Sequence, residues 1–124
     1  MRQLSFLLIL AVICSCNKNN NDDGAIFCTE EFVYGLQVTV RDANTSAVLT
    51  AGEVTVTVTD GNYSETLEFF DTVFLGAGER AGNYIITISG SNYQTFNSNT
   101  VTVSRTEDDC HVITEVLAFT VQPN

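Results

Sequence analysis

Between Glu53 and Thr59 the chain reads EVTVTVT, valine and threonine in strict alternation. Successive side chains of a strand point to opposite faces, so Val54, Val56 and Val58 fall on one side and Thr55, Thr57 and Thr59 on the other. A helix would scatter the same residues around its whole circumference. The pattern therefore demands a half-buried strand, and it is not isolated. Leu36, Val38 and Val40 repeat it in GLQVTV, and Tyr84, Ile86 and Ile88 in NYIITIS. Val101 and Val103 follow in TVTVS, then Leu117, Phe119 and Val121 in VLAFTVQ. Turn-forming stretches separate the runs: DANTSA, DGN, GAGERAGN, SGSN and TEDD. No helical period intervenes, so the expected fold class is all-β, an antiparallel β-sandwich of about seven strands. The segment from Glu65 to Leu75, ETLEFFDTVFL, is apolar on both faces, and parity alone does not assign its inward residues.

A chain of 124 residues has room for one small domain. Asp and Glu outnumber Lys and Arg by 15 to 5, a formal charge of −10. Phosphate backbones require a basic stripe, so nucleic acid is excluded as a partner.

The N-terminus has a different character. Met1, Arg2 and Gln3 precede an apolar run from Leu4 to Ile13. That run is too short to span a bilayer, which takes roughly 20 residues. A basic start, a short apolar stretch and small residues after it have the layout of an export signal. The ICSC that follows resembles the lipobox of bacterial lipoproteins, with Ile13 at −3, Ser15 at −1 and Cys16 as the acylated residue. Cys14 fits worse, because bulky Ile13 would occupy its −1 position. The resemblance implies a lipoprotein signal peptide over 1–15 and Cys16 carrying several acyl chains, palmitate among them. Each buried methylene contributes about 0.8 kcal/mol to such an anchor. Residues 16–27, rich in Asn and Asp, then read as a flexible tether. Asn17 is not the aspartate associated with inner-membrane retention, and an acidic cluster soon after the Cys resembles the export tag of surface lipoproteins. The expected location is the cell envelope, at the outer membrane. Asn19, Asn21, Asp23, Gly24 and Glu30 also fall at calcium-loop spacing, but the first ligand is Asn and no helices flank the loop, so the solvated tether is preferred.

The domain, 28–124, carries a second resemblance. VYGLQVTVRDANTSAVLTAGEVTVTV followed by ERAGNYIITISGSNYQTF is similar to the carboxypeptidase regulatory-like domain, a transthyretin-like sandwich of cell surfaces. Ala51 and Gly52 make the small-residue step into a Val-rich strand, and Gly82 and Tyr84 begin the later strand. Asn92-Tyr93 stands where the family has Gly-Tyr, and Asn is the commonest non-glycine residue at positive φ. The resemblance covers roughly Val33 to Phe96 and implies a Greek-key arrangement. One enzyme class on that fold, the hydroxyisourate hydrolases, uses several histidines, an arginine and a Tyr-Arg-Gly-Ser tail. This chain has a single His111 and ends TVQPN, so that activity is not expected.

No nucleophile elbow or phosphate loop is found, and no catalytic residue, metal site or cofactor is expected. His111 follows Asp108, Asp109 and Cys110, but neighbours on a strand face opposite ways, so Cys110 and His111 do not readily share one ion. Cys28 stands just before the first strand and Cys110 just before the last, in a chain whose signal implies an oxidising compartment. A Cys28–Cys110 disulfide is expected, with free buried thiols as the alternative. Tyr63, Tyr84, Tyr93, Phe69, Phe70, Phe74 and Phe96 include candidates for an exposed platform, although aromatics in a sandwich are more often core. The expectation is a non-catalytic, lipid-anchored module for binding or structural interaction, held to the membrane by its anchor and engaging a protein or glycan at the cell surface. Capture of a small ligand, carbohydrate or calcium, is the alternative.

Overall fold

A computed structural model describes residues 27–124, and the alternating runs are its strands. They are β1 (Tyr34–Asp42), β2 (Thr55–Asp60), β3 (Tyr63–Thr66), β4 (Glu68–Phe70), β5 (Val73–Gly78), β6 (Gly82–Gly90), β7 (Tyr93–Asn97), β8 (Val101–Val103) and β9 (Glu115–Val121). Four form one sheet in the order β4-β5-β1-β9, and five form the other, β3-β2-β6-β7 with β8 also on β6. The two sheets share one core. Leu36, Val38 and Val40 meet Val56, Val58, Tyr84, Ile86 and Ile88 there, every one of them fully buried. Parity had placed all eight inward.

The count of nine exceeds the expected seven because two extended runs are each divided. β3 pairs with β2, but at Leu67 the chain leaves that sheet and β4 pairs with β5. Leu67 is buried at the crossing, and its N–H donates to the Val56 carbonyl at 2.8 Å. β7 and β8 lie in succession along β6, interrupted at Ser98. Ser98 keeps the ladder closed: its N–H donates to the Ile86 carbonyl at 2.8 Å, and the Ile86 N–H donates to Ser98 Oγ at 2.9 Å.

One pairing departs from the antiparallel expectation. β1 and β9 run parallel, from Leu36↔Glu115 to Asp42↔Val121. The reason lies just upstream of both strands, where Cys28 and Cys110 are joined in a disulfide with their Cα atoms 5.1 Å apart. Two neighbouring strands that leave the same point must run in the same direction. Thr114 reinforces the start, its hydroxyl donating to the Tyr34 carbonyl at 2.7 Å.

The β1–β2 connection turns on Asp42. Its carboxylate accepts the N–H groups of Asn44 and Thr45 at 2.7 and 3.0 Å and the Tyr93 hydroxyl at 2.9 Å. The backbone donors of Thr45 and Asn44, with Tyr93, hold the Asp42 carboxyl below its ordinary range, and the same contact raises the Tyr93 hydroxyl. Position 92 does not need a left-handed residue. Among the described residues the positive-φ non-glycine positions are Ser46, Asp71, Ala77, Glu79 and Asp109, so Asn92 in place of Gly carries no backbone strain.

The disulfide encloses a separation of 82 residues, for which the chain-entropy relation gives about 4.5 kcal/mol. Replacing Cys28 and Cys110 together by serine should lower the unfolding free energy, measured by urea titration, by up to about that amount. A loss under about 1 kcal/mol would mean that the cross-link does not organise the fold.

Candidate functional site

The outer faces of the two sheets differ in chemistry. Across the β3-β2-β6-β7 sheet one cross-strand row reads Thr66, Thr57, Thr87, Asn97, with the Thr87 hydroxyl donating to Asn97 at 2.8 Å. The corresponding row of the other sheet reads Glu68, Leu75, Gln37, Val116, and Phe70 and Val73 pair in the row beside it. Phe70 is 70% exposed and Val116 69%. Polar rows satisfy themselves and face water, whereas exposed apolar ones invite a partner.

Two adjoining hollows of about 300 and 350 Å³ open on this apolar side and share Tyr34, Glu68 and Leu75. The first is completed by Phe69 and Phe70. The second runs over the edge toward β3, past Phe32 and Glu65, to Tyr63 and Arg80. Glycines let its walls approach. At Gly78 a side chain would collide with the Phe32 ring, and a Cβ at Gly76 would stand 2.5 Å from Leu67 and 2.6 Å from the Glu65 carboxylate. Glu65 thereby reaches across the sheets to accept the Ala77 N–H at 2.7 Å, and it also accepts the Tyr63 hydroxyl at 3.3 Å. Burial, followed by the Glu65 charge, raises the Tyr63 hydroxyl above its ordinary value.

Arg80 closes the far end. Its guanidinium lies 3.7 Å from the Tyr63 ring centroid, a cation–π contact, and it donates to Asp60 at 3.0 Å and to the Tyr84 hydroxyl at 2.9 Å. Tyr84 first, then Asp60, hold this guanidinium firmly in its charged form. The Glu68 carboxylate, at the near end, has no hydrogen bond or ion pair among the described residues.

Beside the groove, a clasp joins the segment before β1 to the loop before β9. His111 Nδ1 lies 2.7 Å from Glu79 Oε1, and His111 Nε2 lies 2.9 Å from the Thr29 hydroxyl. Glu79 and Val33 bond reciprocally, Val33 N–H to the carboxylate at 2.9 Å and Glu79 N–H to the Val33 carbonyl at 2.8 Å. Ala77 and Glu79 both adopt positive φ, 52° and 51°, and the contacts of Glu79 hold that conformation. The order carboxylate, imidazole, hydroxyl has the form of a proton relay. Its hydroxyl, however, belongs to β-branched Thr29 on an exposed segment open to bulk water, and the groove does not include it. These contacts fasten the segment before β1 to the loop before β9.

Of the sequence candidates, Cys28 and Cys110 are joined, and Cys16 lies outside the described residues, as do Asn19, Asn21, Asp23 and Gly24 of the calcium spacing. Cys110 is held by its cross-link, and both His111 nitrogens are hydrogen-bonded, one to Glu79 and one to Thr29. Among the described residues no group of three His, Cys, Asp or Glu side chains could hold a metal. Of the aromatic candidates, Tyr63, Phe69 and Phe70 line the groove, while Tyr84 and Phe74 are core. Tyr93 is tied to Asp42, and Phe96 stacks on Phe119 with centroids 5.1 Å apart. Phe32, 62% exposed and edge-on to Tyr34, escaped the sequence reading because it precedes the alternation. No family model matches the sequence, and no curated protein matches it.

The hydrogen bond from His111 holds the Glu79 carboxyl below its ordinary range, outweighing burial. A carboxyl depressed in the folded state stabilises the fold above its unfolded pKa, and that stabilisation disappears as pH falls through the folded value. Asp42 and Asp108 are shifted the same way. Stability should therefore fall as pH drops below about 4. Glu79→Gln should shrink that acid-dependent component. His111→Ala should be the more damaging change, because Glu79 Oε2 is already buried without a partner and the carboxylate would lose its strongest one. Chemical denaturation repeated across pH 3 to 7 checks the order, and identical profiles for all three proteins would dismiss the clasp.

Proposed function

We propose that this protein is a non-catalytic binding module of the cell envelope, anchored through lipid on Cys16 and presenting the groove between Phe70 and Arg80 to a partner. The observation that carries the reading is the contrast between the two outer faces: threonine rows on one, aromatic and aliphatic residues around adjoining hollows on the other. Ladder-satisfied strands with a wet polar face need no partner, while a groove of this composition stays exposed only at a cost in solubility. The two-sheet architecture also supports a Greek-key, transthyretin-like sandwich of the carboxypeptidase regulatory-like kind, a fold whose members this chain resembles over Val33 to Phe96. Support for the anchor comes from the apolar run before ICSC and the polar stretch after it.

Anchoring and binding are tested separately. Cys16→Ala should abolish incorporation of labelled fatty acid and move the protein from the membrane to the soluble fraction, and Cys14→Ala should do neither. Acylation that persisted in Cys16→Ala would refute the anchor. For binding, a photoreactive phenylalanine analogue at position 70 should give cross-linked adducts on intact cells, and the same analogue at position 57, on the threonine face, should not. Equal labelling from both positions, or none from 70, would overturn the assignment of the groove.

A further inference from the structure

The two ends of the groove are built from the same parts. At the far end a carboxylate, Asp60, and an aromatic face, Tyr63, grip the guanidinium of Arg80. At the near end the carboxylate of Glu68 stands on the same face of β4 as the exposed ring of Phe70, with Tyr34 and Leu75 completing the hollow. Among the described residues, only the near end lacks a cation. The described residues contain three arginines and no lysine, and the other two are engaged elsewhere, Arg41 with the Ser46 carbonyl and Arg105 with Asp109. The surplus of ten negative charges lies wholly within the described residues, because Arg2 and Lys18 offset Asp22 and Asp23 outside them.

We propose that the Glu68 end of the groove takes a lysine or arginine side chain from an extended segment of a partner protein. A long cationic side chain suits the hollow because its methylenes lie along Leu75 and Phe70 while its head reaches Glu68. An extended segment suits the position, since β4 is the edge of its sheet and offers unpaired main-chain groups alongside the hollow. Charge chooses among occupants. A second copy of this chain would bring −10 against −10 and an acidic segment would be repelled, whereas a basic one is drawn in. The inference rests on the groove being the binding face, and it adds the chemistry of what binds.

The test uses the full-length protein in detergent and two blocked pentapeptides of valine and threonine, one with a central lysine and the other with norleucine, which has nearly the same shape without the charge. Titration followed by fluorescence anisotropy should show the lysine peptide binding at least about tenfold more tightly in low salt, with the preference shrinking as salt rises. Glu68→Gln should erase the preference. Glu107→Gln, which removes the same charge from the loop before β9, should retain it. Phe70→Ala should weaken both peptides. Equal affinity for the two peptides, binding of neither, or a preference surviving in Glu68→Gln would overturn the proposal, as would binding of a neutral oligosaccharide but not the lysine peptide. Adducts from position 70 together with no lysine preference would retain the groove and reject only its cationic ligand.

Discussion

The Cys28–Cys110 bond fixes the direction in which this domain is built. Its two cysteines lie a few residues before β1 and β9, so both strands start from one point, and lying side by side they run parallel. A parallel pair cannot be closed by a tight turn. Here the rest of the domain is the connection, with β2 to β8 and their loops standing between the two strands in the chain. With β9 on one side and β5 on the other, β1 becomes an interior strand with Leu36, Val38 and Val40 buried in the core, and the open edges of its sheet fall to β4 and β9. The fastening of Thr29, His111, Glu79 and Val33 acts at the same pole, so covalent and hydrogen-bonded ties secure one junction.

The groove follows from the second distinctive joint, the crossing at Leu67. A chain that changes sheets there brings the edge of one against the edge of the other, and side chains from β3 and β4 line a common surface. The approach is close enough that Gly76 and Gly78 cannot carry side chains without displacing Leu67, Glu65 or Phe32. Glu65 spans the joint, its carboxylate satisfied by Tyr63 from its own strand and by the Ala77 backbone from the facing sheet. A carboxylate engaged twice in this way is a structural member. The Glu68 side chain, three residues further on across Leu67, has no such duties and is left to face the solvent.

The strand cores were legible in the sequence because parity is a local signal: a residue's inward or outward sense depends only on its neighbours two positions away. Leu36, Val38 and Val40 could be placed without knowing what they touch. Which strands become neighbours, and in which direction they run, depends on contacts between residues far apart, and these leave no periodic trace. The cysteines did carry that information. Once the starts of the first and last strands are expected to be cross-linked, those strands can be adjacent only if they run parallel, a consequence that an all-antiparallel expectation overlooks. The groove was half legible for a similar reason. Phe70 and Tyr63 stood out as aromatics, but Phe32 lies ahead of the alternation, and its place on Gly78 depends on a pairing that the sequence does not display.

The two joints meet in the wall of the groove. Phe32 and Tyr34 belong to the stretch between Cys28 and the body of β1, and that stretch is held by the disulfide, by Val33 against Glu79 and by Thr114 against the Tyr34 carbonyl. An aromatic wall binds well only if it is ordered before the ligand arrives, since fixing a side chain or loop on binding costs about 0.5 to 1.5 kcal/mol for each side chain immobilised. Ala77 and Glu79 hold left-handed backbone angles beside this wall, and they do so because Glu79 is gripped by both His111 and Val33. The ties at the pole thus set the rigidity of the groove wall as well as the direction of the strands. Stability and the shape of the proposed binding groove are coupled through one short segment, residues 28–34, in which cross-link, fastening and aromatic wall follow one another along the chain.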